Sequence, residues 1–145
     1  MAESKYGKYI VTDVSKFKKD TPVGDNDDSV TGLFLFLDDE VVKGSFFVRC
    51  TWFWKKPEER RLGSHTHPYD EVVAFMGTNP DDVHDLGGEI ELWLEDEKHI
   101  LTKSCLVFIP KGMKHCPLQV RRVDRPIFHF TIGTSGKYGG RDFTK

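Results

Sequence analysis

Residues 89–102 read EIELWLEDEKHILT, and this stretch decides the fold class of the chain. Ile90, Leu92 and Leu94 alternate with two glutamates and a tryptophan. Side chains along a strand point alternately to its two faces, so a repeat of two predicts a strand. The polar run EDEK at 95–98 then predicts a turn into a second strand. The stretch therefore predicts a β-hairpin.

The same signal recurs along the chain as short β-branched or aromatic runs separated by turn residues. No segment combines helical periodicity with capping residues. About eight to ten short strands at turn-rich spacing predict an all-β sandwich, jelly roll or barrel. The further runs are KYIVTD (8–13), VTGLFLFLDD (30–39), VVKGSFFVRCTWFW (41–54), DEVVAFMG (70–77), CLVFIPKGMKHCPLQV (105–120) and PIFHFTIG (126–133).

The composition indicates a folded domain without a polyanion-binding surface. Of the 145 residues, 38% are hydrophobic and 12% aromatic, which is enough for a buried core. A formal net charge of −2 gives no basic footprint for nucleic acid or an anionic membrane. No run approaches the roughly 20 apolar residues of a membrane span, and no signal peptide is visible. The three cysteines form no CxxC pair, so we expect a reducing, cytoplasmic location.

We expect three parts: an N-terminal strand or arm with a loop at 1–29, a barrel domain at 30–133, and a glycine-rich tail at 134–145. The strand KYIVTD has no obvious partner within the barrel. An unpaired strand edge invites pairing with another chain. We therefore expect a homodimer built around a two-fold axis.

Candidate metal ligands are concentrated in GSHTHPYDE at 63–71. On a strand, His65 and His67 would project to the same face, about 7 Å apart along the backbone. A proline follows and should bend the strand, because it cannot donate to a ladder. The chain then re-enters a strand at Glu71, whose carboxylate can return to the same space. Asp70 is the alternative carboxylate, and we expect it to be exposed.

His115 is the fourth candidate ligand and follows the turn PKGMK, in which Gly112 would permit an unusual backbone angle. Three neutral imidazoles and one carboxylate suit one divalent transition metal ion: Fe, Mn, Co, Ni, Cu or Zn. Four protein ligands on a metal that prefers six leave two positions for a substrate or dioxygen.

At these residues the chain resembles the cupin family. The first family motif, G-x5-H-x-H-x3or4-E-x6-G, matches at HTHPYDE, and the second, G-x5-P-x-G-x2-H-x3-N, matches at PKGMKH. The resemblance covers about residues 30–133, and the departures from the motifs, such as Ser104 for a glycine, are not at ligand positions. It implies a small jelly-roll β-barrel with a metal inside. The implied ligands are His65, His67, Glu71 and His115.

Further residues are candidates for the pocket. His129 lies within an aromatic strand, where it would be either a satisfied core or interface histidine or an acid/base group near the metal. Arg49 and Gln119 could orient a carboxylate or hydroxyl group. An aromatic barrel interior would favour a flat substrate. The residues predicted to form that lining are Trp52, Phe75 and Phe130.

The resemblance implies a metal-dependent enzyme that acts on a small, planar, oxygenated molecule, and we favour dioxygenase-type oxidoreductase chemistry. An oxygen-independent isomerase, decarboxylase or lyase is the first alternative, because a fold does not choose among reactions. A non-catalytic ligand- or metal-binding module is the second. The expected partner is a small-molecule substrate, with no nucleic acid and no membrane.

Overall fold

The computed structural model describes residues 4–14, 31–57 and 63–137, and almost all regular structure within them is β. The one exception in these ranges is a three-residue 3-10 helix at Gly7–Tyr9. The predicted all-β class is therefore confirmed. The strands are β1 Thr31–Leu37, β2 Phe47–Phe53, β3 Glu71–Met76, β4 Asp85–Leu94, β5 Glu97–Lys103, β6 Cys105–Ile109, β7 His115–Val123 and β8 Ile127–Gly133.

The strands form two antiparallel sheets that face each other as a jelly-roll barrel. Strand order is β1-β2-β8-β3-β6 in the larger sheet and β5-β4-β7 in the smaller one. The hairpin predicted at 89–102 is β4–β5, in which Leu94 pairs with Glu97 around a two-residue turn. An apolar core fills the space between the sheets. Its buried members are Phe53, Val73, Phe75, Leu86, Ile90, Ile109, Val120 and Ile127.

Strand β2 places polar residues inside the barrel and apolar residues outside. Arg49 and Thr51 are buried, whereas Val48, Cys50 and Trp52 between and beside them are partly exposed. Because side chains alternate along a strand, the buried set faces the second sheet and the other set faces away from it. The usual apolar-inside rule is thus reversed over the middle of β2.

Strand β8 repeats this arrangement. His129 and Thr131 are buried, whereas Phe128, Phe130 and Ile132 are only partly covered. The two strands are neighbours, with each β2 residue paired directly to a β8 residue of the same orientation. Polar side chains of β2 and β8 therefore meet inside the barrel.

The prediction of an N-terminal strand at KYIVTD (8–13) is wrong. Gly7–Tyr9 forms the 3-10 helix, and the backbone N–H groups of Tyr9 and Ile10 donate within that turn, each at 3.0 Å. Donors used in this way cannot pair with a neighbouring strand. Residues 15–29 of the predicted arm lie outside the described ranges. In the part of the chain that the structure describes, no helix is long and apolar enough to cross a membrane.

The predicted tail begins by packing against the barrel. The backbone N–H groups of Phe47 and Asp39 donate to the carbonyl oxygens of Ser135 and Gly136, each at 2.9 Å. These contacts hold the start of the tail beside the β1–β2 connection. Residues 138–145 lie outside the described ranges, so the predicted tail as a whole stays a prediction.

Candidate metal centre

The two segments that carry the candidate histidines are tied together through their backbones. His65 and His115 form an isolated antiparallel bridge, with two N–H···O=C hydrogen bonds of 3.0 Å each. The N–H of Gly112 donates to the carbonyl of His67 at 2.9 Å. Gly112 has φ 81°, in the left-handed region that favours glycine, as its place in the turn predicted. The tight turn therefore brings the second motif against the first.

The imidazoles of His65, His67 and His115 converge inside the barrel. One ligand atom from each lies within 4.8 Å of the other two. The Nε2 atoms of His65 and His67 are 3.1 Å apart. All three side chains are buried, so the nitrogens are shielded from bulk water. The structure thus brings together three of the four predicted ligands as one cluster.

Glu71 reaches this cluster from the start of β3. Its Oε2 lies 3.1 Å from Nε2 of His67, and both side chains are buried. The neighbouring backbone position on β8 is Gly133, where a Cβ would run into the ring of Phe47. The absence of a side chain at Gly133 thus makes room for the Phe47 ring. Glu71 lies beside the histidine cluster, in contact with His67.

The hydrogen bonds of two histidines determine which nitrogen carries the proton. Nδ1 of His65 lies 2.7 Å from the carbonyl oxygen of Gly63, and Nδ1 of His115 lies 2.9 Å from that of Met113. A carbonyl oxygen only accepts, so both Nδ1 atoms carry the hydrogen. In the neutral rings the Nε2 atoms then carry the lone pairs. Metal-ligating histidines are oriented in this way by their second nitrogen.

The residues fit a divalent transition metal. Two nitrogen donors bound at about 2.0–2.1 Å to one ion lie roughly 2.9–3.4 Å apart for bond angles near 90–109°. The separations from Nε2 of His67 to His65 Nε2 and to Glu71 Oε2 are both 3.1 Å. Neutral imidazoles and a carboxylate are ligands that Fe, Mn, Co, Ni, Cu and Zn share. Donor type, spacing and burial therefore agree with one metal ion.

A polar layer lies next to the cluster along the larger sheet. Arg49 on β2 pairs in register with Thr131 on β8. Thr131 lies two residues before Gly133, and Gly133 is the residue that pairs with Glu71. The row of Arg49 and the row of Glu71 are therefore about 7 Å apart along the strand direction. The Arg49 guanidinium donates from Nη1 to Oγ1 of Thr51 at 3.1 Å, and its side chain is buried. The Arg49 cation thus faces the interior, and it lies in the row of inward-facing residues next to the row that contains Glu71.

His129 is the next inward residue after Thr131, and it is neutral. Its Nδ1 donates to the carbonyl of Ala74 at 2.9 Å, and its ring is stacked between Phe53 and Phe75 at centroid distances of 5.2 and 4.7 Å. Burial lowers the pKa of His129 to about 4, and the nearby Arg49 charge adds to that effect. His129 therefore carries no charge at neutral pH.

The structure corrects the predicted pocket lining. Phe75 is fully buried beside His129, which agrees with an interior position. Trp52 and Phe130 were predicted to line the interior, and this placement is wrong, because both lie on the outward positions of β2 and β8. The sequence did not reveal which face of the aromatic strands was inside, since both faces carry aromatic residues.

The predicted pocket position of Gln119 is also wrong. Gln119 pairs with Glu91, between the core residues Val120 and Leu118 on one strand and Ile90 and Leu92 on the other. Alternation therefore turns it to the face of the smaller sheet that points away from the core. Gln119 is buried there, but it does not face the histidine cluster.

Sequence reasoning missed three residues of the interior. Thr51 and Thr131 face inward beside Arg49 and His129. Tyr69 stacks on the ring of His67 with a centroid distance of 4.7 Å. The two threonines could have been found, because each lies two residues from a singled-out polar residue on the same strand. Nothing in the sequence indicated the contact of Tyr69.

Comparison with solved structures shows the fold. An oxalate oxidase solved with the substrate analogue glycolate superimposes with a TM-score of 0.57 at 16% identity, covering 99% of this chain and 67% of that one. A double-stranded β-helix protein from Klebsiella pneumoniae gives 0.48 at 13% identity, covering 77% and 83%. A structure of DMSP lyases gives 0.46 at 14% identity, covering 70% and 45%.

This chain thus spans less than half of the DMSP lyase chain and about two thirds of the oxalate oxidase chain. No protein-family model matches its sequence, and no curated protein does. The superposition on the oxalate oxidase structure, with a TM-score of 0.57, shows the jelly-roll fold that the sequence predicted.

Proposed function

We propose that this cupin-fold chain is a metal-dependent enzyme that acts on a small oxygenated acid inside the barrel. The observation that carries the proposal is the buried cluster of His65, His67, His115 and Glu71 with the Arg49 cation one inward position away. A purely structural barrel would gain nothing from burying a guanidinium and three imidazoles together, because burying polar groups costs free energy. Buried groups of this kind mark functional sites.

The four predicted ligands would hold one divalent transition metal ion. Such an ion supplies Lewis acidity toward an oxygen of the substrate and, where it is redox-active, electrons for dioxygen chemistry. The Nδ1–H groups of His65 and His115 remain hydrogen-bonded to carbonyl oxygens and keep both rings in place. The site is thereby organised before a substrate arrives.

Arg49 would bind the carboxylate of the substrate. A guanidinium stays charged at any physiological pH and can donate two parallel hydrogen bonds to a carboxylate. Its contact with Thr51 holds the side chain toward the interior. The oxalate oxidase neighbour was solved with glycolate, a small hydroxy acid, which is a precedent on this fold for such a molecule.

His129 would act as a neutral acceptor and not as a proton donor. Its Nδ1–H is used by Ala74, so its Nε2 accepts, and the Thr131 hydroxyl lies 3.5 Å from that atom. A pKa near 4 keeps the ring uncharged at neutral pH. Because His129 is uncharged, Arg49 is the cation that an acidic substrate would meet in this polar layer.

We favour dioxygenase-type chemistry, and oxygen consumption tests it. Metal-free protein is loaded with Fe(II) and mixed with small hydroxy, keto and dicarbonyl acids in an oxygen electrode, with products identified by mass spectrometry. We expect oxygen uptake that needs both metal and acid. Uptake that persists in the variant His65→Ala/His67→Ala would contradict the proposal.

An oxygen-independent isomerase, decarboxylase or lyase is the second candidate. It is favoured by the same buried Arg49, because a fixed cation can stabilise developing negative charge without any redox step. The same acids are therefore incubated under argon with Mn-, Ni-, Co- or Zn-loaded protein. Turnover under argon would assign this class in place of the dioxygenase.

A substrate-side variant separates the two parts of the proposal. Arg49→Met should keep the metal but lower kcat/KM for an acid by about 30-fold or more, the cost of losing one partner of a buried charge pair. The matched amide of the same acid should be affected far less. Equal losses for acid and amide would show that Arg49 does not bind the carboxylate.

A further inference from the structure

The three candidate imidazoles are held in two different ways. His65 and His115 each donate from Nδ1 to a backbone carbonyl oxygen, at 2.7 and 2.9 Å. Nδ1 of His67 is buried as well, but it has no hydrogen-bond partner in the ranges that the structure describes. A hydrogen bond from the second nitrogen is the usual means of orienting a metal-ligating imidazole. The orientation of His67 therefore depends on a different contact.

The orientation of His67 matters because only one of its ring atoms faces the cluster. Nε2 of His67 lies 3.1 Å from Nε2 of His65 and 3.1 Å from Oε2 of Glu71. The last side-chain torsion of a histidine is broad and roughly two-fold, so an unsupported ring can turn about it. A half-turn puts the carbon Cε1 in the place of Nε2, and a carbon is not a metal ligand. His67 can serve as a ligand only while its ring is held.

Tyr69 supplies a contact that fixes the plane of this ring. The phenol ring is stacked on the imidazole of His67, with a centroid distance of 4.7 Å and an angle of 17° between the two planes. Stacked aromatic rings attract each other by more than the burial of their area accounts for. An imidazole that tilts out of this plane loses the stacking contact. The contact with Oε2 of Glu71 then selects Nε2 as the atom that faces the cluster.

Tyr69 is itself held in place by packing and by the backbone. Its side chain is buried, and the ring of Phe47 meets it edge-on, with a centroid distance of 5.3 Å and an angle of 79°. The backbone is fixed on both sides of Tyr69, because the carbonyl oxygens of His67 and Asp70 accept backbone hydrogen bonds of 2.9 and 3.1 Å. The phenol ring is therefore a firm support for the imidazole.

We propose that Tyr69 is a positioning residue of the metal centre, whose ring holds the His67 imidazole in the orientation that ligation requires. The ring does for His67 what a hydrogen bond to a carbonyl oxygen does for His65 and His115. The face of the ring makes the contact, so a phenylalanine at this position should serve equally well. This inference rests on the proposed function, because it takes His67 to be a ligand.

Metal titration of the metal-free full chain tests the proposal with two variants of Tyr69. Tyr69→Leu keeps an apolar side chain but removes the ring, and it should weaken metal binding by about 10-fold or more, as loss of a residue that orients a ligand does. Tyr69→Phe keeps the ring and should bind metal like the unmodified chain. The visible absorption spectrum of the Co(II)-loaded protein depends on the positions of the ligands. It should change in Tyr69→Leu and stay the same in Tyr69→Phe.

Phe36→Leu is the matched control for the loss of a buried ring. Phe36 is buried on β1, and two strands separate β1 from β3 in the larger sheet. Both Phe36→Leu and Tyr69→Leu should lower the free energy of unfolding, because each leaves a buried site underfilled. Only Tyr69→Leu should also weaken metal binding and change the Co(II) spectrum. Urea denaturation and far-UV circular dichroism of the metal-free proteins verify that both variants fold.

NMR of the metal-free protein tests the role of the ring independently of metal binding. In the unmodified chain the ring protons of His67 should be shifted upfield by the Tyr69 ring and show nuclear Overhauser effects to it. In Tyr69→Leu the His67 signals should lose this shift and broaden, whereas those of His65 and His115 persist. An unmodified chain that binds no metal would refute the proposed function, and these signals would still test the role of Tyr69. Unchanged His67 signals or metal affinity in Tyr69→Leu, or an equal loss in Tyr69→Phe, would overturn the inference.

Discussion

The two faces of the larger sheet are opposite in character, although the same strands build both. The inward face carries Arg49, Glu71 and His129, whereas the outward face of those strands carries no side chain that is charged at neutral pH. In most soluble barrels the polar face meets water and the apolar face meets the core. Here a polar site lies on the inward face beside the apolar core, and the outward face is apolar. The inward face of this sheet therefore combines core packing with the candidate metal centre, whereas its outward residues are apolar.

The largest expected effect comes from removing the imidazoles of the inward face. His65→Ala/His67→Ala should reduce bound metal from close to one ion per chain to none, because two of four donors are lost at once. The β fold should persist, since the apolar cluster around Phe75 and Ile90 supplies most of the burial. Elemental analysis and far-UV circular dichroism check both parts. A variant that keeps its metal would place the site elsewhere.

The second effect concerns the buried neutral His129. Its pKa is about 4 in the folded chain and about 6.5 when unfolded, so the unfolded state binds more protons between these values. Stability is therefore lost as pH falls from about 6.5 to about 4, by on the order of 3 kcal/mol. His129→Gln keeps a donor for Ala74 but cannot titrate, so this loss should disappear.

Urea denaturation of the metal-free protein at several pH values measures the effect of His129. Metal-free protein is needed because protonation of the ligands also releases metal at low pH. His99→Gln is the control, since His99 is partly exposed beside Glu97 on the smaller sheet. If the free energy of unfolding falls equally in both variants as the pH is lowered, burial of His129 does not control the loss of stability in acid.

A third test compares two neighbouring carboxylates. Glu71→Gln removes the one negative charge among the candidate ligands, so metal affinity should fall by at least about 10–100-fold. Asp70 instead accepts a hydrogen bond from the N–H of Lys111 at 2.9 Å, and Asp70→Asn keeps an oxygen acceptor there. Asp70→Asn should be nearly silent in metal titration of the metal-free protein. The reverse result would mean that the first motif has been assigned in the wrong register.

The smallest effects are expected from outward residues. Trp52→Phe and Phe130→Leu should change metal affinity and the KM of a substrate by no more than about twofold, as surface changes of about 0.5 kcal/mol do. Phe75→Leu, on the inward face beside His129, should change the KM more. Steady-state kinetics on the loaded protein measures all three. A larger change in KM for Trp52→Phe than for Phe75→Leu would contradict the assignment of Trp52 to the outward face and Phe75 to the inward face.

Much of the fold was predictable, because strand signals depend on local alternation and turn residues. The β4–β5 hairpin and the two strands that flank the turn at Gly112 follow from such signals. The convergence of His65, His67 and His115 was also predictable, since motif spacing determines which side chains can meet. The hydrogen bonds of His65 and His115 to carbonyl oxygens were not, because they depend on the loop conformation.

The orientation of the strands could not be predicted. Both faces of β2 carry large aromatic residues, so hydrophobicity alone did not show whether Trp52 or Phe53 was inside. Gln119 was misplaced for a different reason: the pairing of β4 with β7 shifts at irregularities, which change the face of later residues. Which face such a residue occupies depends on how distant strands pair. That pairing cannot be deduced from a single sequence.

The metal content of protein purified without a histidine tag tests the candidate metal centre most directly. The inward face of the larger sheet, together with the His65–His115 bridge, should hold close to one divalent transition metal ion per chain. Elemental analysis of the isolated protein, followed by titration with Fe, Mn, Ni, Co or Zn after chelation, gives this number. One ion per chain that is lost in His65→Ala/His67→Ala is the predicted result. No bound metal and no uptake of any of these ions would show that the histidine cluster is not a metal centre.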